Sequence, residues 1–481
     1  MSKKTKRSIS TFAILLAVLL LVSIATWIAA GKTYTGEDGE IAEVVGATSS
    51  DIFMAPVNGW ADAADVITFV FCLGAFLAIV NATGALETGI HTLVRRLHGK
   101  ELALIWILMF VFSIGGTTYG MGEETVGFYI LLAATMMAAG FDPIVGAATV
   151  LLGAGTGVLG STINPFATGA AVAAATSVGV EVNMGTTYVI GIILWLVSYL
   201  LSVLFVTAYA KKVRANKGSI LTAAQLDECQ KAYGGKDVTT AKLTGRQKAV
   251  LWLFALSFVV MILGFIPWGS LSETMYNAFS SSTTWLTGAC LGDWWFYDAA
   301  TWFLLMGIII GIVGLEDRSQ LMKLIANGFG DMVSVNLVIA MARATSVIMA
   351  ATGLGTWLVE ASVTALSQSG VSAGVFGLLD YILHVGLSFL VPSSSGLAGL
   401  SAPIVSPIVA GMGWSVETSI MINVAANGFV NLFTPTCGFI MGGLALARVP
   451  YESWLKWAWK LLLTLFVVVG VVLTIAMAVL S

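Results

Sequence analysis

The chain has 481 residues, of which 58% are hydrophobic and only 10% charged, and its formal net charge is -3. A soluble domain carries roughly 25% charged residues, so this composition excludes an ordinary water-soluble protein. It also lacks the basic surplus that a nucleic-acid partner would need. Apolar runs of about 18 or more residues recur and predict a polytopic α-helical protein in the lipid bilayer. The 52 glycines suit close packing and broken helices more than a bundle of straight spans. The cysteines Cys72, Cys229, Cys290 and Cys437 are far apart and form no CxxC, so neither a disulfide nor a metal site is expected.

In chain order, the first span is expected at 11–30, too long for the apolar region of a signal peptide. Lys3, Lys4, Lys6 and Arg7 precede it and place the N-terminus in the cytoplasm. Residues 31–65 hold seven acids and only Lys32, which places them outside. A second span at 66–83 leads to "HTLVRRLHGK", inside. Residues 211–248 carry nine Lys/Arg against three acids and form the main cytoplasmic linker. A span at 249–266 follows. Residues 267–298, with no Lys or Arg, lie outside, and 299–314 return inward. Arg448, Lys456 and Lys460 mark another inside loop, and the last helix carries the C-terminus outside.

The halves 1–210 and 249–481 resemble each other. "GALETGIHTLVRRLHGKE" and "VGLEDRSQLMKLIANGFGD" both end a span and begin a short amphipathic helix. Each half then has two polar breaks: "GGTTYGMGEE" and "GSTINPFATG", then "VPSSSGLAGLS" and "VNLFTPTCG". Tyr119 and Thr162 are 43 residues apart, Ser395 and Thr434 39. Paired breaks at matched spacing predict two inverted-topology repeats. Each would hold a re-entrant helical hairpin (about 102–140 and 375–411) and a broken helix (about 143–180 and 415–447). An additional span at 332–350 turns the second hairpin over, so the tips meet from opposite faces.

Split helices offer N-terminal dipoles to anions and free carbonyls to cations. Thr117, Thr118 and Tyr119 at the first tip, and Ser393, Ser394 and Ser395 at the second, add neutral ligands. Thr162, Asn164, Thr168, Asn431, Thr434 and Thr436 do so at the breaks. Together they suit a substrate carboxylate, with Na⁺ expected near Asn164 and Asn431. The same small residues would also serve helix packing alone. Ionisable residues at membrane depth are functional candidates: Glu123, Glu124, Arg343, Asp380 and His384. At least one glutamate is expected to face the cavity. Arg343 and Asp380 are expected to form a structural ion pair, with Arg343 as a carboxylate ligand the alternative. "GTGVLG" at 155–160 matches a dinucleotide fingerprint, but no strand precedes it.

The motifs "FSIGGTTYGMGEETVGFY", "LLGAGTGVLGSTINPFATG", "VPSSSG" and "FVNLFTPTCGFIMGGLALARVPYESWLKW" resemble the YfcC/DcuC family of bacterial carriers, from about 65 to 460. The resemblance implies an elevator-type secondary transporter of the bacterial inner membrane, homodimeric, with scaffold and transport domains and no cofactor. Members are associated with C4-dicarboxylates or, in the YfcC branch, with basic amino acids. By motif, the implied site includes Thr117, Thr118, Glu123, Glu124, Asn164, Thr168, Ser393, Ser394, Ser395, Gly396, Asn431, Thr434 and Thr436. The family commonly has Ser-Gly-Gln-Ala at the second tip, where this chain has Ser395-Gly396-Leu397-Ala398.

The resulting expectation is a symporter or exchanger, not an enzyme, for a small carboxylate-bearing metabolite coupled to Na⁺, H⁺ or counter-substrate. Amino acids are favoured over C4-dicarboxylates because intramembrane acids outnumber Arg343. A channel is the more distant alternative.

Overall fold

The computed structural model describes residues 11–36, 40–96, 100–215, 218–233 and 243–481. It is nearly all helical, and ten of the described helices are long and apolar enough to cross a membrane. Helix α1 (Thr11–Ala29) leads to an antiparallel ribbon, β1 (Thr33–Thr35) and β2 (Ile41–Glu43), with Tyr34 opposite Ala42. Then come α2 (Ser49–Asp62), α3 (Ala64–Ala82) and α4 (Ala85–Arg96). The first hairpin is α5 (Glu101–Tyr119) and α6 (Val126–Ala138), joined through a 3₁₀ turn, Glu123–Thr125. The first broken helix is α7 (Pro143–Leu159), resumed by a π turn, Pro165–Gly169, and α8 (Ala170–Ser177). Long α9 (Met184–Arg214), α10 (Ala223–Tyr233) and α11 (Gly245–Phe265) follow, then short α12 (Trp268–Leu271) and α13 (Glu273–Ser282). Helices α14 (Phe296–Gly314), α15 (Leu321–Thr352) and α16 (Leu354–Gln368) lead to the second hairpin, α17 (Ala373–Leu390) and α18 (Ser394–Gly411). The second broken helix is α19 (Val416–Val430) and α20 (Gly438–Leu446), and α21 (Tyr451–Leu480) ends the chain. Hairpin, broken helix and long helix thus occur twice in the same order.

Both broken helices lie in the interior. Every residue of α7 is buried, and all of α19 except Glu417. Small side chains make this possible. A Cβ on Gly116 would come within 2.1 Å of the Ala154 carbonyl oxygen, and one on Gly157 within 2.1 Å of that of Ser113. Gly157→Ala is therefore expected to force α5 and α7 apart and cost about 1–3 kcal/mol, read as a lower thermal midpoint of the purified protein. Outer helices do the opposite. On α21, Trp459, Leu463, Val467, Val471, Ile475 and Val479 form an exposed apolar stripe at four-residue intervals. Such a stripe suits hydrocarbon, not water.

Several elements differ from expectation. The first hairpin arm runs 19 residues rather than over 102–114, because the glycines of "GGTT" stay helical against α7. The short amphipathic helix and the additional span are one continuous helix, α15. Residues 354–368 form a helix of their own, and α2 occupies part of the expected outside loop, started by a Thr48–Asp51 capping box. The "GTGVLG" stretch lies at the end of α7 and the break that follows.

Candidate functional site

A cavity of about 120 Å³ lies between the two hairpin tips, the second break and α15. Gly120, Gly122 and Glu123 line it from the first tip, and Ser393, Ser394 and Ser395 from the second. Asn431 and Thr436 reach it from the second break, and Arg343 from α15. Val66, Phe166 and Phe296 complete an apolar side.

The first tip is shaped by glycine. Gly120 ends α5 in the left-handed region at φ 79°, and a Cβ there would lie 2.6 Å from Asn164 Oδ1. This pins the tip to the first break. Behind it, Thr117 Oγ1 donates to the Gly160 carbonyl at 2.8 Å, and Thr162 N and Oγ1 both donate to the Thr117 carbonyl at 2.9 Å. Thr118 Oγ1 donates to its own helix at Ile114, and buried Tyr119 stacks on Phe265. Asn164 Oδ1 accepts from Phe166 N at 2.9 Å while its Nδ2 donates to Ser161 Oγ, and Thr168 Oγ1 donates to the Ser161 carbonyl. Thr117, Thr118, Tyr119, Thr162, Asn164 and Thr168 therefore brace the tip and break, outside the cavity lining.

The adjacent glutamates part company. Glu123 is half-buried on the cavity wall. Glu124 is buried and accepts from Gly122 N at 2.9 Å, holding the turn.

On the other side, Ser393 Oγ caps α18 by accepting from Gly396 N, and Ser394 Oγ donates to Asn427 Oδ1 at 2.8 Å. Asn431 Nδ2 donates to the Pro392 carbonyl at 3.0 Å and to Asn427 Oδ1 at 2.9 Å. Among the described residues its buried Oδ1 meets no donor, so Asn431 keeps an acceptor for a cation or a substrate ammonium. Asn164 Oδ1, by contrast, already accepts from Phe166 N. Thr434 and Thr436 hydroxyls bond each other at 2.7 Å, and only Thr436 lines the cavity. Leu397, standing where a family glutamine is common, is fully buried away from the cavity.

The expected Arg343–Asp380 ion pair is replaced by two others. Arg343 Nη1 lies 3.6 Å from Asp62 Oδ2, too far for a hydrogen bond. A Cβ on Gly396 would sit 3.6 Å from the same Nη1, which places the guanidinium beside the second tip. Asp380 lies against His384 on its own helix. The sequence reading missed Phe166, although "NPFATG" contains it, and gave Asp62 no role beyond an outside charge.

Two helix tips and two broken helices around a charged cavity, in a body with ten described helices long and apolar enough to cross a membrane, fit a multi-pass membrane transporter. A model of the C4-dicarboxylate anaerobic carrier family, DcuC, matches residues 9–478, and the chain belongs to that family. It is 28% identical over 435 residues to an uncharacterized protein of Haemophilus influenzae (90% of this chain, 79% of the relative). It is 27% identical over 425 residues to YfcC of Escherichia coli (strain K12), described as a candidate basic amino acid antiporter (85% and 77%). Its fold is similar to the YdaH transporter of Alcanivorax borkumensis, at a TM-score of 0.50 and 17% identity, over 97% of this chain and 98% of that one.

Proposed function

We propose that this chain is a secondary transporter, a symporter or exchanger, of amino acids, and of basic amino acids in particular. One observation carries the reading: Glu123 and Arg343 line the same cavity. A carboxylate and a guanidinium facing one small space match the two ends of a zwitterion. Arg343 and the N-terminus of α18 would receive the substrate carboxylate, while Glu123 and Asn431 Oδ1 would receive the ammonium. The description of YfcC supports the same class. The family name supports the alternative, a C4-dicarboxylate carrier, whose second carboxylate would meet Glu123 unfavourably.

In this reading 1–210 and 249–481 are inverted repeats joined by the linker 211–248. The hairpins and broken helices move as a unit against the remaining spans in an elevator cycle. The protein would be a homodimer in the bacterial inner membrane, N-terminus cytoplasmic and C-terminus outside. Na⁺, if it is the coupling ion, would find an acceptor at Asn431. Counterflow into proteoliposomes with labelled arginine, ornithine and succinate tests the substrate class. Exchange of arginine or ornithine without succinate is the expected result. Strong succinate exchange with neither amino acid would overturn it.

A further inference from the structure

A second polar cluster lies apart from the cavity, in the packing of α17, α18 and α19. Asp380 and His384 are one helical turn apart and almost wholly buried, at 0% and 1% exposure. His384 Nδ1 sits 3.0 Å from both the Asp380 carbonyl oxygen and its carboxylate Oδ1. Nδ1 therefore carries a hydrogen and faces an acceptor-only surface. Among the described residues neither carboxylate oxygen of Asp380 accepts a hydrogen bond, which makes the imidazole its one compensating group. The other ring nitrogen, Nε2, lies 3.1 Å from Ser401 Oγ on α18, and Ser401 Oγ in turn accepts from Asn423 Nδ2 on α19.

This chain leads toward the substrate. Asn423, Asn427 and Asn431 recur every four residues, so the first two share one face of α19 and the third, its C-cap, continues that line. Asn423 Nδ2 reaches the Leu397 carbonyl of α18, and Asn427 holds Ser394 and the Pro392 carbonyl at the second tip. Asn431 lines the cavity. The face thus joins the buried pair to the tip.

A buried carboxylate with no donor is costly unless it is paired with a charge or neutralised. The other charged side chains on the packed helices lie elsewhere. Glu360 of α16 bonds Thr35, and Glu417 of α19 bonds Asn183 N and Ser415. Glu452, Lys456 and Lys460 stand at the start of α21, and none of these is in an ion pair with Asp380 or His384 among the described residues. Tyr381, the titratable neighbour on α17, stacks on Phe466. The pair is electrostatically isolated, so its proton count sets its charge.

We propose that Asp380–His384 binds the coupling proton of transport and that the asparagine face of α19 ties its occupancy to the second tip. With Nε2 bare, the pair carries net charge -1 and Ser401 donates to the ring. With one proton added at Nε2, the pair is neutral and that nitrogen donates to Ser401 Oγ, so the hydroxyl hydrogen must turn to another acceptor. Loading therefore reverses one hydrogen bond in the network that positions the tip. This inference rests on the transporter reading of the cavity but not on its substrate class.

The chain has three histidines, so His91→Gln with His98→Gln leaves His384 as the sole imidazole signal. Its ¹⁵N resonances, followed in nanodiscs from about pH 5 to 9 around the ordinary histidine range, should titrate. Asp380→Asn should displace the midpoint by ~1 pH unit or more. Ser401→Ala, which removes only a hydroxyl, should displace it measurably. In proteoliposomes with labelled arginine, His384→Gln should lower accumulation driven by a pH gradient ~10-fold or more relative to the same variant's counterflow rate. A flat ring signal, a midpoint that neither Asp380→Asn nor Ser401→Ala moves, or an unchanged ratio would overturn the proposal. If wild type moves no arginine, the substrate reading falls and the titration alone decides the proton site.

Discussion

Glu123→Gln is expected to raise the apparent KM for arginine about 10- to 150-fold, the equivalent of losing a charge-assisted hydrogen bond of about 1.5–3 kcal/mol. Glu123 lines the cavity, and the substitution keeps its size while removing its charge. The loss falls on binding, so KM should rise more than the maximal rate falls. Glu124 has the same chemistry one residue on, yet its Oε2 is committed to Gly122 N inside the protein. A glutamine there still offers a carbonyl oxygen to that N–H. An alanine does not, and leaving the buried donor unmatched costs about 1–3 kcal/mol. Glu124→Ala should therefore lower the thermal midpoint, with Glu124→Gln milder in both assays. Concentration-dependent counterflow beside thermal unfolding separates the two residues. Equal KM effects from both glutamine variants would mean that the cavity uses the glutamates as a pair.

The breaks were readable because their physics is local. Proline at 165 and 435, and glycine at 120 and 122, interrupt apolar runs, and hydroxyl, amide and carboxylate side chains cluster beside them. Which hydroxyl faces the cavity was not readable. A threonine in a helix can bond back to its own carbonyls, as Thr118 does to Ile114, and composition does not separate that from a ligand. Asn164 is a ligand candidate on the same composition, and its Oδ1 caps the turn by accepting from Phe166 N. Helix α16 stayed hidden because 354–368 is too short and too polar to read as a span. Helix α2 was masked by Pro56 and by acids at both ends, although "TSSD" is the start of its capping box. The Arg343–Asp380 pairing failed because two charges in separate spans have no fixed azimuth until the helices pack. The correct partner of Asp380 stood four residues away, where helical spacing alone already put it.

Arg343 should be the residue that reads the substrate carboxylate, and a probe lacking that group exposes it. Agmatine keeps the guanidinium of arginine but has no carboxylate. Wild type should prefer arginine, and Arg343→Gln should narrow that preference by about 10-fold or more, consistent with about 1.5–3 kcal/mol for a charged hydrogen bond. Arg343→Lys should fall between, because an ammonium cannot make the two parallel bonds of a guanidinium fork. Competition assays against labelled arginine measure all three. Asp62 supplies the control in the opposite sense. It is about half exposed and holds Arg343 only at 3.6 Å, so it contributes no more than a surface pair, about 0.2–1 kcal/mol. Asp62→Asn removes this competitor and should tighten arginine binding about 1.5- to 5-fold. If agmatine and arginine compete equally with wild type, the carboxylate is not recognised, and Arg343 belongs with Asp62 as a structural contact. If Arg343→Gln weakens both probes to the same extent, the arginine shapes the second tip through its approach to Gly396 rather than contacting the substrate.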